Sequence, residues 1–463
     1  MTKKLLSVSI ALCFSWTVWG GGLLTNTNQS VHFLRNPARD ASIEIDAAYT
    51  NPAGLAHLNG EGFFFSVNNQ SAFQTRTITT TYGPFAGFGG SATKEFEGKA
   101  SAAIIPSIQA AYKKGDWVLS GNIAVSGGGG KATFNEGLPS FESTIAVVPA
   151  YLSGLSPSIG GYSLDSYMDG SSFIYGAQLG GTYSINEMFS AYAGFRLSIV
   201  NNGYEGYMKN IKIGVNGTMM PAADVIKMAA AINPAAAALA PLVADKELDC
   251  TQSGWGITPV IGVNFNWNRL NIGAKYEFNT HLNVENKTKR DDTGLFADGV
   301  NTPHDIPGLL TVGAQYDVID PVTVSIGYHH FFDSNAKMAN DKQKHIDGGI
   351  NEFLGGVEWR IDKMFLVSAG GQITRTGVKD NYQADLSYSL DSYSIGFGGA
   401  VNVSKNVRIN IAYFFTNYSD WTKEIADYGN INAMTGGAIP AIKGTDVFSR
   451  TNKTFGAGVD FRF

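Results

Sequence analysis

Apolar and polar residues alternate one for one through much of this chain. In residues 454–463, Phe455, Ala457, Val459, Phe461 and Phe463 fall on one side and Gly456, Gly458, Asp460 and Arg462 on the other. Residues 407–416 oppose Val407, Ile409, Ile411, Tyr413 and Phe415 to Arg408, Asn410, Ala412 and Thr416. Residues 270–279 oppose Leu270, Ile272, Ala274, Tyr276 and Phe278 to Asn271, Gly273, Lys275, Glu277 and Asn279. A period of two predicts strands with one apolar face, because successive side chains of an extended chain point to opposite sides. Six tight polar turns punctuate the alternation, at Gly115-Asp116, Asn186-Glu187, Asn268-Arg269, Asp320-Pro321, Asp362-Lys363 and Lys405-Asn406. Seven longer irregular stretches fall between them, near 83–97, 130–170, 214–252, 288–305, 334–346, 377–386 and 419–450. Thirteen connections join fourteen strands, with short turns alternating strictly with long loops. A soluble sandwich shares the alternation but lacks this asymmetry. A transmembrane barrel has short turns at one end, long loops at the other and an even strand number. The pattern therefore predicts an all-β, fourteen-stranded antiparallel transmembrane β-barrel, with Phe463 on the apolar face of its last strand.

Composition supports the same class. Charged residues make up 16% of the 463, glycines number 55 and aromatics reach 12%. Mean hydropathy is close to zero. Beyond the first twenty residues no run of about 20 apolar residues appears, so helical spans are excluded. Only 15 prolines and no compositional break argue for one large architecture. The net charge of −5 gives no electrostatic reason to expect nucleic acid.

The first twenty residues read as a signal peptide: Lys3-Lys4, then LLSVSIALCFSWTVW, then Gly20-Gly21-Gly22. Cys13 is not an acylation site on this reading, since Leu12 precedes it and the apolar core runs past it. Removal of the leader leaves Cys250 without a disulfide partner in the chain. The protein is thus expected in the outer membrane of a bacterial cell.

Counting strands from Glu61 leaves residues 21–60 outside the sheet. This stretch has little alternation and carries two Asn-Pro-Ala units, at 36–38 and 51–53. Proline blocks regular ladder pairing and pushes the preceding residue out of helical geometry, so a compact, turn-rich segment is expected. Inside a fourteen-stranded barrel it would be a plug. With its leader, Gly-rich mature start and DASIEIDAAYTNPAGLA stretch at 40–56, the chain resembles the FadL-type outer-membrane transporters of long-chain fatty acids and other hydrophobic compounds. These are fourteen-stranded barrels with an N-terminal hatch in the lumen. The resemblance covers the whole chain in architecture and about forty residues in motif. It maps the family's Asp-Ala segment to Asp40-Ala41 and the end of its hatch to Asn51, Pro52, Ala53 and Gly54. Asn36-Pro37-Ala38 has no counterpart in that pattern. The implied organisation is a signal peptide at 1–20, a hatch at 21–60 and a barrel at 61–463.

The resemblance also implies a mechanism: capture at outer loops, passage past the hatch and lateral release into the membrane where the third strand kinks. That strand, at 116–134, holds Gly127, Gly128, Gly129 and Gly130. Consecutive glycines weaken a strand and favour a bulge or bend, but they equally suit the start of a loop. The Ala-rich loop at 214–252 reads as one or two short helices, opened by Asp224 and broken at Pro234 and Pro241. Met219, Met220, Ile226, Met228 and Leu239 would line a ligand groove there, or pack a helix on the rim. Arg196, Lys275, Glu277, Glu358, Arg360, Asp460 and Arg462 are predicted to face the lumen. Their mixed signs suit salt bridges between wall and plug better than the lining of an ion-selective pore. Catalysis has no support. His329 and His330 are adjacent on a strand and face opposite sides, and no GxSxG, phosphate loop or HExxH occurs. The expectation is a monomeric passive transporter without metal or cofactor, which takes up long-chain fatty acid or another hydrophobic small molecule and hands it to outer-membrane lipids. A non-specific diffusion porin and a structural or adhesive surface barrel are the alternatives.

Overall fold

The computed structural model describes residues 23–87 and 90–463; the expected signal peptide lies outside the described residues. Fourteen wall strands run antiparallel and close on themselves. They are β1 Gly62–Tyr82, β2 Thr93–Lys114, β3 Trp117–Phe134, β4 Ile159–Ser184, β5 Phe189–Val215, β6 Lys246–Trp267 and β7 Leu270–Glu277 continued by Asn283–Asp291. There follow β8 Asn301–Pro303 continued by Leu309–Ile319, β9 Val322–Phe331, β10 Asn351–Arg360, β11 Phe365–Arg375, β12 Ser392–Asn402, β13 Val407–Tyr418 continued by Trp421–Ile425, and β14 Gly444–Arg462. A short arm at Thr218–Pro221 folds back on β5. Closure is made by β1 and β14, whose register runs unbroken from Phe64 opposite Arg462 to Tyr82 opposite Gly444.

The alternation is inverted relative to a soluble sandwich. Ile123, Trp255, Ile326 and Ile411 stand 60–66% exposed on the outer face, while Asn68, Gln109, Asn122, Asn264 and Asn410 are buried inside. Only a bilayer gives that band of exposed aliphatic and aromatic side chains an apolar solvent, and only a closed sheet leaves no unpaired edge within it. This is an outer-membrane barrel. A broad concavity on the outer face of β9–β14, edged by Trp359, Phe397 and Phe455, belongs to the bilayer-facing side. A membrane-spanning strand needs about 9–11 residues. β4 and β5 have 26 and 27, so they rise well beyond the membrane on the long-loop side. The expected loops at 130–170 and 214–252 are accordingly shorter in the structure, because β3, β4, β5 and β6 extend into them.

Residues from Leu23 to Leu58 fill the lumen. Short helices span Val31–Arg35 and Ala47–Thr50, and a 3-10 turn spans Pro52–His57. Ser30 caps the first, its hydroxyl accepting from the amide of Phe33 at 3.2 Å. The wall makes room for this plug with glycine. A β-carbon at Gly273, Gly313 or Gly327 would overlap Asp40, and one at Gly356 would overlap Asn36. At Gly370 it would meet Pro37, and at Gly396 the Leu34 carbonyl. These positions follow one another around β7 to β12, so the plug rests on a belt where wall backbone meets plug directly. The unassigned Asn36-Pro37-Ala38 unit sits on that belt, with the Asn36 amide donating to Ser325 at 3.1 Å.

Candidate functional site

The most irregular part of the wall is the seam between β2 and β3. Pairing runs from Lys114–Trp117 to Ser107–Ala124, stops, and resumes only at Lys99–Thr133. On its other side β3 is bulged against β4 at two places, between Val125 and Gly127 and between Gly127 and Gly130. Gly128 and Gly130 adopt φ of 90° and 68°, in the left-handed region that glycine tolerates best. The glycines lie within the strand, not at the start of a loop. What β3 loses to β2 it regains from the plug. The Asn26 amide donates to the Ser126 carbonyl at 2.8 Å and the Gly128 amide to the Leu24 carbonyl at 3.2 Å. Thr25 and Gly127 form a β-bridge. A β-carbon on Gly127 would overlap the Leu24 carbonyl, so the approach needs glycine. Across the gap, β2 carries Pro106, which has no amide to contribute to a ladder. Ile104 beside it is 75% exposed. The carbonyl of Ala103 is met from β1 by the Ser71 hydroxyl at 2.7 Å. Pro106 in mid-strand was the sequence signal for this gap that the pattern reading passed over.

At its other end the plug leaves through Asn51-Pro52-Ala53-Gly54. The Asn51 amide reaches the Ser42 carbonyl at 3.0 Å and the Asn264 amide at 2.8 Å, and Asn264 continues to Asn271. Thr182 donates to the Pro52 carbonyl at 2.8 Å and Ser190 to that of Ala53 at 2.7 Å. A β-carbon at Gly54 would overlap the Asn51 amide and the Ser42 carbonyl.

Ion pairs tie the plug to the wall between these ends. Arg35 reaches Glu358 at 2.5 Å, His32 reaches Asp460 at 3.1 Å and Glu44 reaches Arg408 at 2.5 Å. His329 stands between Asp40 of the plug and Glu352 of the wall, 2.9 Å from each. His330 faces away and meets Asn351. Glu277 joins Arg196 at 2.6 Å and Lys275 at 2.7 Å. The Tyr49 ring lies 4.0 Å from the Lys275 ammonium and 5.1 Å from the Arg196 guanidinium. Five of the seven charges expected inside are therefore in this network. Arg360 is not: it is exposed at the short-turn rim, paired with Asp317 at 3.5 Å, because β10 ends there. Arg462 lies half-buried over the Phe64 ring at the same end. His32, Glu44 and Asp46 bring ligand atoms within 4.8 Å of one another. Arg39 holds Asp46 through two bonds of 2.8 Å and also reaches Glu44, so guanidinium already supplies the charge a metal would bring.

Above the plug the lumen is aromatic. Tyr82, Phe134, Tyr388, Tyr418, Tyr428 and Phe448 belong to one buried cluster. Arg76 and Arg450 are directly opposite each other across β1 and β14 at its lower edge, and their guanidinium groups lie 6.0 and 4.9 Å from the Tyr388 ring. At the outer mouth, Phe141, Met168, Met208, Leu248, Leu295 and Phe296 border an apolar pocket of about 90 Å³. The five residues expected to share a loop groove are divided. Ile226 and Leu239 are buried in a loop core with Ile145 and Val148 of the helix Pro139–Ser153, and Met220 packs at its margin. Met219 and Met228 point outward, 43% and 45% exposed. The helix Ala222–Ile232 packs one face down, which the Ala-rich composition did not reveal. Cys250 is buried and accepts a hydrogen bond from Thr288.

The sequence matches no family model and no curated protein. The fold does match solved structures. A FadL homologue of Pseudomonas aeruginosa superposes with a TM-score of 0.63 at 12% identity, covering 96% of this chain and 100% of that one. The Pseudomonas putida toluene transporter TodX gives 0.56 at 12%, covering 99% and 98%. The Ralstonia pickettii toluene transporter TbuX gives 0.52 at 14%, covering 92% and 98%. The chain has the fold of the FadL-type outer-membrane barrels.

Proposed function

We propose that this barrel takes up hydrophobic small molecules across the outer membrane and releases them sideways through the β2–β3 seam. The observation that carries the reading is the interrupted ladder between Lys99–Thr133 and Ser107–Ala124, with the freed edge of β3 bonded to the plug. A wall gains nothing from four glycines and an unpaired stretch at membrane depth unless something passes there. On this reading residues 21–60 form the hatch, Gly127, Gly128, Gly129 and Gly130 form the gate, and the lipids beside β2 receive the cargo from a single subunit. The filled lumen disfavours a diffusion porin, and the bulged, plug-bonded β3 has no use in an adhesive barrel.

For the cargo we favour a long-chain fatty acid over a neutral hydrocarbon. Arg76, which donates to Gln74, and Arg450, which donates to the Tyr388 carbonyl, stand directly opposite each other on β1 and β14, between an aromatic cluster and the level of the gap. A carboxylate head would bind both guanidinium groups while its chain lies among the aromatics. The test is uptake of labelled oleate and of toluene by cells expressing the protein, with Arg450→Met alongside. Oleate uptake should fall several-fold in the variant and toluene uptake should not. Equal loss of both would assign the arginine to structure. No uptake of either by the unmodified protein would end the transport reading.

A further inference from the structure

A small cavity lies between the plug and the inner faces of β7, β8 and β9, lined by Phe33 and Pro37 on its apolar side and by Asp40, Tyr49, Thr311 and His329 among its polar residues. Three of these lining residues carry a buried polar atom without a hydrogen-bond partner among the described residues: Asp40 Oδ2, Tyr49 Oη and Thr311 Oγ1. The three residues are 4%, 2% and 2% exposed. Asp40 Oδ1 meets His329, and the Lys275 ammonium donates to the Tyr49 carbonyl at 2.9 Å and to Glu277. Unpartnered polar atoms so deeply buried are rare, and each costs roughly 1–3 kcal/mol if left bare.

We propose that this cavity is a hydration site, where one ordered water bridges Asp40 and Tyr49 of the plug to Thr311 of the wall. The size fits, since the cavity measures about 10 Å³ and one water needs on the order of 10–15 Å³ and two to four polar partners. The chemistry fits as well. A carboxylate oxygen only accepts, whereas the two hydroxyls both donate and accept. The ligand must therefore donate to Asp40 and be free to do either toward the hydroxyls. A metal cation satisfies the oxygens but would face the Lys275 ammonium, the Arg39 guanidinium and the doubly bonded His329 ring across the same small space. A neutral donor–acceptor has no such conflict. The consequence is a plug–wall contact at Asp40 with two parts, a direct bond from one carboxylate oxygen to His329 and a water-mediated link from the other to Thr311.

The test is a crystal structure of the full-length mature protein in detergent, at a resolution that shows ordered water, together with a Thr311→Val variant. The expected result is a density peak within hydrogen-bonding distance of at least two of the three atoms. A dry cavity, or one closed by a direct Tyr49–Thr311 bond, overturns the proposal. So does an anomalous peak at that position after soaking in rubidium chloride, since it would mark a cation. The valine variant gives an answer of opposite sign for the two states. In a wet site it removes a partner of the water, and the unfolding temperature falls. In a dry site it removes an unsatisfied hydroxyl and adds packing, so an unchanged or raised unfolding temperature overturns the proposal too.

Discussion

Asn51 shows how much one side chain settles at the end of the plug. Its backbone sits at φ −145°, ψ 70°, its amide joins Ser42 to the Asn264–Asn271 amide pair, and Pro52 starts the turn that follows. Asn51→Leu conserves volume but leaves the Ser42 carbonyl buried without its donor and removes one of the bonds to Asn264, a loss of about 1–3 kcal/mol. These bonds belong to the plug and its seat, not to the wall ladder. We expect uptake to fall while heat-modifiable gel migration stays that of a folded barrel, and parallel loss of both would assign Asn51 to wall assembly. Asp333 carries a pH dependence of its own. In the outer loop after β9 its carboxyl is wholly buried, and burial pushes it from 3.8 up to about 6, against the opposing hydrogen bonds from the Ile350 and Leu23 amides. A raised carboxyl means the folded loop holds the proton more tightly than the unfolded chain. The stability it contributes is therefore full below about pH 3.8 and is lost as pH rises through about 6. Hydrogen exchange of residues 333–350 should speed up across that window by the equivalent of about 2–3 kcal/mol. Asp333→Asn should flatten the profile, and a flat profile in the unmodified protein would contradict the assignment.

The element that decides the transport reading is β3. Gly127 must admit the Leu24 carbonyl and Gly128 must hold φ 90°, so Gly127→Val with Gly128→Val displaces the plug strand and strains the bend. We expect the variant to assemble, because the β1–β14 and β4–β5 ladders are untouched, and to lose most of its uptake. Normal uptake would put the exit elsewhere. The strand elements were largely legible in the sequence, because a two-residue period and a polar turn are local properties, and all six tight turns fall between strands in the structure. The ends of β4 and β5 were not, because beyond the membrane nothing forces the outer face to be apolar, and DSYMDGSS at 165–172 continues β4 without alternation. The loop residues Ile226 and Met228 could not be sorted either. Which side of a short helix is covered depends on the helix Pro139–Ser153, which is remote in sequence. The glycine belt was visible only as composition, because each member owes its place to a plug atom hundreds of residues away.

At the scale of the whole molecule, wall and plug are held by different forces, and this makes them separable. The wall is a closed backbone ladder whose hydrogen bonds run strand to strand everywhere but at the β2–β3 seam, where the plug supplies part of the pairing. The plug is held mainly by side chains, through the pairs Arg35–Glu358, His32–Asp460, Asp40–His329 and Glu44–Arg408 and packing on the glycine belt, with backbone bonds to the wall at Leu24–Asn26 on β3. Arg35 is the most demanding of these, being fully buried and bonded to both Glu358 at 2.5 Å and Ser368 at 2.9 Å. Replacing one member of a buried pair strands the other charge at a cost of about 3–5 kcal/mol. Arg35→Met leaves Glu358 in that position while filling most of the space of the lost side chain. The strain falls on the plug's seat, since β10 remains paired on both sides. In planar bilayers the unmodified protein should conduct little, because residues 23–58 fill the lumen. Arg35→Met should raise conductance several-fold through a loosened plug, with gel migration still that of the folded barrel. Unchanged conductance in a folded variant would mean that belt packing holds the plug without the ion pair. High conductance in the unmodified protein would favour a porin over a plugged transporter.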